Sequence, residues 1–414
     1  MSQTDSQTDT DNVLDDATHE SPGRGGPAGV AAVVAAVGIM LVAANLRPAV
    51  VSVAPLVGDI RSDLGFSSAT AGLLTTLPVL FFGLSAPVAP RLAARFGIER
   101  TVFASLVVLV VGMLLRFVPN VATLFVGSAV VGAAIGVCNV VLPSLIKRDF
   151  AHRSGLMTGL YSMTLSGGAA IAAGLTVPID DAVDGNWRLT LTSWSVLAIV
   201  AMVVWIPQLR RVHTVVVGAA IPSLWRNGIA WAVTGFMGTQ SLIFYTFSAW
   251  LPQYLQDEGH TAKEAGTTLA IGQVVALTAS LVIPIIAGRF RDQRLITLGV
   301  LVVCAVGFVG LVGGQSLTTL WVALVMFGPG ASISLALLFM VLRSPSTTVT
   351  GQVSGMAQSI GYMMAAVGPI AIGALHDATD SWALAMTVLG LVLIPQALST
   401  AVAGRDSTIR VTAD

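Results

Sequence analysis

The chain has 414 residues, of which 55% are hydrophobic and only 10% are charged. Soluble domains usually carry about 25% charged residues, so this composition excludes an ordinary soluble protein and predicts a polytopic membrane protein. The formal net charge is zero, which gives no bias toward nucleic acid, and no nucleic-acid partner is expected.

The N-terminal segment, residues 1–27, differs in kind from the rest. It is rich in Ser, Thr, Asp and Gly, and Arg24 is its only basic residue. Such a segment cannot bury an apolar core, so we predict a disordered acidic tail. It lacks the basic start of a secretory signal.

Twelve apolar stretches of spanning length follow the tail. Lipid offers no partner for backbone polar groups, and the stretches do not alternate as barrel strands do, so we predict twelve transmembrane helices. They cover residues 33–58, 69–90, 101–118, 121–146, 154–179, 188–207, 228–255, 262–288, 295–314, 317–342, 349–375 and 382–403.

The first stretch, "LVAANLRPAVVSVAPLVGDI", contains one arginine, Arg47, directly before Pro48. A charge inside a bilayer is costly and must face protein or a watery cavity. Pro48 has no amide hydrogen, so the helix should unwind there, and no acidic residue lies within a predicted helix core to neutralise the arginine. Arg47 is therefore either a substrate-binding group for an anion or a nitro group, or a structural arginine satisfied by carbonyls.

Other polar side chains within the predicted spans are candidates for the same site. Each could instead join helices or pack at an interface, and Asn45 lies on nearly the opposite helix face from Arg47. The full set of predicted substrate-binding residues is Arg47, Asn45, Asn139, Tyr161, Gln240, Tyr245, Trp250, Gln273, Gln358 and Tyr362. No catalytic residue, metal site or cofactor is expected, and Cys138 and Cys304 lie in apolar runs as small buried residues.

Basic residues are concentrated on one side of the predicted spans, in every second loop. The opposite side carries few bases but most of the loop acids. By the positive-inside rule both termini are cytoplasmic, in a multi-pass protein of the plasma (inner) membrane. The basic loops contain Arg91, Arg95 and Arg100; Lys147, Arg148 and Arg153; Arg210, Arg211 and Arg226; Arg289, Arg291 and Arg294; and Arg343.

The chain also contains an internal repeat. A shift of 194 pairs Asp63 with Asp257, Pro90 with Pro284 and Arg95 with Arg289, and a shift of 196 pairs Gly155 with Gly351 and Gly159 with Gly355. Two parallel six-helix halves are typical of the major facilitator fold, an all-α membrane fold of two pseudo-symmetric bundles with its site near the bilayer midplane. We predict bundles at 28–207 and 228–403, a cytoplasmic connector at 208–227 and a cytoplasmic tail at 404–414.

Five motifs narrow this interpretation: "NLRPAVVSVAPL", "GLLTTLPVLFFGLSAPVAPRLAARFGIER", "NVVLPSLIKRDF", "GLMTGLYSMTLSGGAA" and "FYTFSAWLPQYL". Together they resemble the cyanate and nitroimidazole transporter (CynX/NimT) family. The resemblance implies a cyanate-like or nitro-compound-like substrate. The chain departs from the superfamily's loop motif at Ala94, where an aspartate is expected before Arg95.

The predicted function is secondary active or facilitative transport of a small polar or anionic solute by alternating access. The predicted transporter is a monomer in the lipid bilayer, and a co-transported proton is one option for its coupling. An efflux transporter of amphipathic compounds is the alternative. An enzyme is not expected, because His19, His152, His213, His260 and His376 all lie in tails, loops or helix ends and no HExxH motif is present.

The basic-loop asymmetry makes a prediction about orientation. Single cysteines placed at Arg91, Arg210 and Arg291 should react only with thiol reagents that enter the cytoplasm. Labelling of two of these sites from outside intact cells would reverse the predicted orientation.

Overall fold

The computed structural model describes residues 29–66, 68–210, 224–314 and 317–410. The predicted tail at 1–27, most of the connector at 208–227 and the last four residues lie outside these ranges. The described chain is helical, without strands. Its α-helices are α1 Val30–Asn45, α2 Pro48–Val51, α3 Val57–Leu64, α4 Ser68–Ser85, α5 Ala89–Phe96, α6 Ile98–Leu115, α7 Val121–Asp149, α8 Ser154–Ala182, α9 Trp187–Ser193, α10 Ser195–Trp205, α11 Gly228–Asp257, α12 Ala262–Ala287, α13 Arg294–Gly313, α14 Thr318–Leu342, α15 Thr347–Thr379, α16 Trp382–Leu391 and α17 Leu393–Ala403.

Ten helical segments in the described ranges are long and apolar enough to cross a membrane, and a bent pair, Leu73–Ser85 with Ala89–Phe96, makes an eleventh with a bend of 56°. The predicted seventh span corresponds to α11. Its 30 residues exceed the length that a bilayer needs, but polar residues such as Gln240 and Tyr245 lie near its middle. With the ten helical segments and the bent pair, α11 brings the number of spans to the predicted twelve.

Polar caps mark several of the helix starts. Asn120, Asn186 and Asn227 accept hydrogen bonds from backbone amides in the first turns of α7, α9 and α11. Thr261 and Glu264 form a capping box at the start of α12. These side chains satisfy amide groups that have no partner within their helix, and they explain why the predicted starts at 121 and 228 coincide with the observed ones.

The first span is broken, as predicted from Pro48. Helix α1 ends at Asn45, and regular α-helix resumes only at Pro48, the first residue of α2. At this position the missing proline amide removes no helical hydrogen bond. A 3-10 turn, Ala54–Leu56, then leads into α3. Arg47 thus lies in the irregular turn between α1 and the short helix α2.

The repeat is visible in the contacts between helices. In the N-terminal half the Trp187 indole donates a hydrogen bond to Asp63 (3.2 Å). In the C-terminal half the Trp382 indole donates to Asp257 (2.7 Å). Because Asp63 and Asp257 are repeat partners, the same tie joins the first and sixth spans of each half. The two halves are pseudo-symmetric copies, as the sequence repeat predicts.

The halves meet on the side of the basic loops, through backbone contacts at glycine. A Cβ added at Gly159 of α8 would lie 2.7 Å from the Leu281 carbonyl of α12, and one at Gly355 of α15 would lie 3.1 Å from the Ala86 carbonyl beyond α4. These contacts repeat across the pseudo-symmetry, since α8 packs on α12 as α15 packs on α4 and α5. Only glycine allows the backbones to come so close.

This interface makes a prediction about stability. In Gly155→Val the new side chain would meet Gly288 Cα, which lies 3.1 Å from an ideal Cβ, and the Pro284 carbonyl. We expect overpacking to cost about 1–3 kcal/mol and to lower the melting temperature of the purified protein. Gly174→Val, on the same helix, is the control because nothing lies within 4 Å of its Cβ. Equal melting temperatures for the two variants would contradict the close contact.

Candidate functional site

The break in the first span presents Arg47 to the opposite half. The side chain is partly buried, and its Nη1 donates a hydrogen bond to the Tyr245 hydroxyl of α11 (2.6 Å). This contact connects the N-terminal half to the C-terminal half inside the membrane-spanning part of the protein. The repeat predicts contacts of this kind, because a shift of 194 takes Arg47 to Ser241 on α11 and makes Gln240 and Tyr245 the two expected opposing residues.

Two further tyrosines surround the guanidinium. Tyr362 of α15 and Tyr161 of α8 lie close enough to Arg47 to interact with its charge. The Tyr362 ring packs edge-on against Phe82, with 5.5 Å between ring centres. Helices from both halves therefore contribute aromatic hydroxyls around a single base.

A hydrogen-bonded chain extends from Tyr161 into the interface between the halves. The Tyr161 hydroxyl donates to Asn139 Oδ1 on α7 (3.2 Å), and Gln358 Nε2 on α15 donates to the Asn139 carbonyl (2.9 Å). The Asn139 Nδ2 group is buried and has no hydrogen-bond partner among the described residues. We call this group the central polar cluster; it consists of Arg47, Asn139, Tyr161, Tyr245, Gln358 and Tyr362.

The electrostatics of the central polar cluster depend on the absence of acids from it. The partners given above for Arg47 are neutral hydroxyls, and the ion pairs of the described chain lie elsewhere. Glu99 pairs with Arg148 (2.8 Å), and Asp63 pairs with Arg188 (2.8 Å) at the acidic side. A guanidinium without a carboxylate partner retains donors for an anion or for the oxygens of a nitro group.

Two of the predicted site residues turn away from the central polar cluster. Asn45 is buried and donates to the Leu41 carbonyl (2.7 Å) and to the Leu197 carbonyl of α10 (3.2 Å). It therefore joins helices, as its position two residues before Arg47 allowed. Gln240 donates to Ser241 (2.6 Å) on its own helix, so the expected contact between Gln240 and Arg47 is not formed.

The other two, Trp250 and Gln273, also lie outside the central polar cluster. The Trp250 indole donates to the Pro369 carbonyl (2.8 Å), and its ring packs near Trp382, with 5.7 Å between ring centres. Trp250 therefore has a packing role within the C-terminal half. Gln273 is partly buried on α12, and no hydrogen bond in the described part of the chain brings it to Arg47.

Two residues that bear on this site were not predicted from the sequence. Phe82 forms an apolar wall behind Tyr362, and no sequence signal separates it from other core phenylalanines. Arg116 lies at the end of the predicted span 101–118 and was counted among the few bases of the acidic side, but it is 1% exposed and donates to the Ala49 carbonyl beside Pro48 (2.6 Å). The repeat indicates a buried position for Arg116, because a shift of 194 aligns it with Gly310, which lies inside α13.

One cleft and the two cysteines of the described chain lie apart from the central polar cluster. An open cleft of about 610 Å³ lies at the acidic side, lined by Asp63, Asp180 and neighbouring residues, and it contains none of the predicted binding residues. Cys138 and Cys304 are buried and free, in agreement with their predicted role as small core residues.

Comparison with known proteins supports the fold and the family. Residues 28–369 match the Major Facilitator Superfamily model. The chain is 40% identical to an uncharacterized transporter, YycB, of Bacillus subtilis (strain 168), over 90% of this chain and 94% of the relative. It is 38% identical to the 2-nitroimidazole transporter of Escherichia coli (strain K12), over 90% and 96%, and 31% identical to the cyanate transport protein CynX of the same strain, over 86% and 94%.

Solved structures show the same architecture at low sequence identity. The fucose:proton symporter FucP of E. coli superposes with a TM-score of 0.71 at 13% identity, over 90% of this chain and 98% of that one. The proton:xylose symporter XylE gives 0.71 at 12% identity, over 88% and 93%. The chain is a multi-pass membrane transporter that belongs to the Major Facilitator Superfamily and, within it, to the CynX/NimT family of cyanate and nitroimidazole transporters.

Proposed function

We propose that this protein carries a small anionic or nitro-bearing solute across the membrane, and that Arg47 binds the negative or electron-rich end of that solute. The names of two relatives point to this class, since one is a 2-nitroimidazole transporter and the other a cyanate transport protein. Both solutes present a compact group of high electron density to a binding site.

The observation that carries the proposal is the environment of Arg47. Its guanidinium bonds to the Tyr245 hydroxyl at 2.6 Å and faces Tyr362 and Tyr161, all of them neutral. A hydroxyl can orient a guanidinium without neutralising it, so the positive charge remains for the solute. The planar fork of arginine matches the two oxygens of a nitro group or a carboxylate.

Aromatic rings beside the guanidinium suit a flat solute. Phe244 packs edge-on against Tyr245 at 5.4 Å between ring centres, as Phe82 does against Tyr362 at 5.5 Å. The same rings keep open the alternative of efflux of amphipathic compounds. The two functions differ in dependence on Arg47, because a hydrophobic cation, or a neutral drug without a nitro-like group, gains nothing from a guanidinium.

Transport would proceed by alternating access, with residues 28–207 and 228–403 as the two rocking units. The glycine contacts close the side of the basic loops, which we propose to be cytoplasmic, and the central polar cluster lies between the halves. The cluster contains no carboxylate or histidine that could bind a transported proton. Facilitated diffusion, or a proton that moves with the solute, fits this composition. We propose that the protein acts as a monomer in the inner membrane.

The role of Arg47 is tested by two substitutions. Arg47→Lys keeps the charge but loses the fork, and binding should weaken by roughly 1.5–3 kcal/mol, the size of a lost charge-assisted hydrogen bond. Arg47→Ala should abolish transport and still fold, because no carboxylate loses its partner. The measurement is the affinity for cyanate, other small anions and 2-nitroimidazole, with proteoliposome uptake of each in the presence and absence of a pH gradient.

Membrane abundance and melting temperature of both variants provide the control for folding. A structural arginine would give the opposite result, in which Arg47→Ala fails to insert and the protein that does fold still transports. Unchanged solute affinity in folded Arg47→Ala would exclude Arg47 from the binding site.

Tyr245 offers a second test with a matched control on the same helix. Tyr245→Phe removes the hydroxyl that holds Arg47, and we expect the affinity to fall by about tenfold, which corresponds to ~1.4 kcal/mol. Tyr254→Phe removes a hydroxyl that donates to the Leu311 carbonyl at 3.1 Å, away from Arg47, and should leave affinity unchanged. If both variants lose affinity equally, the loss reflects damage to α11 and not to the Arg47 contact.

A further inference from the structure

A second buried arginine contacts the broken span that carries Arg47. Arg116 follows the last residue of α6 and is 1% exposed. Its Nη1 donates to the Ala49 carbonyl at 2.6 Å, and Nε and Nη2 find no hydrogen-bond partner in the described part of the chain. Burial of a guanidinium is costly in free energy. A buried arginine that makes one short hydrogen bond, to the segment after Pro48, is therefore expected to have a specific role.

The break in the first span leaves the Ala49 carbonyl without its helical donor. In a continuous helix the amide of Val53 would donate to Ala49. Here the Val53 amide donates to the Val50 carbonyl (3.3 Å), because the chain turns after α2. Arg116 supplies the missing donor to Ala49. The carbonyl that it holds lies two residues from Arg47.

The internal repeat provides a comparison within the same molecule. Shifts of 194 align Arg116 with Gly310 and Gly127 with Trp321. In the N-terminal half the Arg116 stem packs over Gly127, where an added Cβ would lie 3.0 Å from Cγ of Arg116. In the C-terminal half the Trp321 ring packs over Gly310. The large side chain comes from α6 in the N-terminal half and from α14 in the C-terminal half. The space between the two helices is filled in both halves, but only the N-terminal half fills it with a guanidinium.

The half with the guanidinium is the half with the broken first span. Helix α11, the repeat partner of that span, runs unbroken from Gly228 to Asp257. A continuous helix has no freed carbonyl at the corresponding place, and there a tryptophan fills the space. The arginine therefore occurs in the half whose first span is broken. Packing alone does not require an arginine, because a tryptophan fills the same space in the other half.

We propose that Arg116 is a positioning residue, whose hydrogen bond to the Ala49 carbonyl fixes the broken turn and so fixes the direction in which Arg47 presents its guanidinium to the solute. This inference rests on the proposed function of Arg47. Arg116 itself does not touch the solute. Its effect on binding passes through Arg47.

Three variants separate the hydrogen bond from the packing. Arg116→Met keeps most of the apolar stem and removes the donors. Arg116→Lys keeps a charge and one donor group and should rescue part of the effect. Arg116→Leu, a second variant without donors and with a shorter apolar side chain, keeps the test usable if Arg116→Met folds poorly.

Hydrogen–deuterium exchange measures the broken turn directly, whether or not a solute binds. We expect faster amide exchange over residues 47–56 in Arg116→Met and in Arg116→Leu, with less change in Arg116→Lys. Exchange over residues 241–250 of α11 should match the parent protein. Unchanged exchange over 47–56 would overturn the proposal.

Binding of 2-nitroimidazole measures the consequence for Arg47. Arg116→Met should weaken binding by about tenfold in the parent protein but by less than about twofold in an Arg47→Lys background, since two groups that act as one are not additive. Equal losses in both backgrounds would show a structural role independent of Arg47. If the folded parent binds neither 2-nitroimidazole nor cyanate, the proposed substrate class fails, and the exchange result alone decides whether Arg116 holds the turn.

Discussion

The hydrogen bond between Arg47 and the Tyr245 hydroxyl (2.6 Å) sets the conditions for the centre of the molecule. A guanidinium within a bilayer costs from about 2.5 to over 10 kcal/mol unless protein or water solvates it. In this chain the groups that solvate the guanidinium are neutral tyrosine hydroxyls. The break at Pro48 brings the arginine out of a regular helix, and tyrosines from both halves surround it. Solvation without neutralisation leaves a charge that an anion can use.

The internal repeat explains why the scaffold and the site differ in symmetry. The Asp–Trp ties and the glycine contacts occur in both halves, because both halves face the same packing problem. The site is built where the copies diverge: Arg47 aligns with Ser241, and a broken span aligns with the continuous α11. A second arginine at Ser241 would place two like charges together, with no acid in the central polar cluster to separate them.

Much of this arrangement follows from sequence alone, for identifiable reasons. Helix positions, the break at Pro48 and the pairing of Arg47 with Tyr245 follow from apolar length, from the missing proline amide and from the repeat. The directions of Asn45 and Gln240 do not, because an amide can bond to its own helix, to a neighbouring helix or to a cavity at similar cost. The depth of Arg116 was hidden by its position at a helix end, where an arginine usually reaches water.

The contacts between the halves differ in kind along the pathway that a solute would follow. On the side of the basic loops, backbone meets backbone at glycines, and such contacts separate only when whole helices move. At the centre, one of the links is a charge-assisted hydrogen bond between Arg47 and Tyr245, worth about 1.5–3 kcal/mol. Under the proposed function, a solute bonds to the donors of the guanidinium that Tyr245 leaves free and adds its own contacts at the interface between the halves. Binding then changes the free energy that holds the halves together, and this differential contact is what a ligand needs to shift a conformational equilibrium.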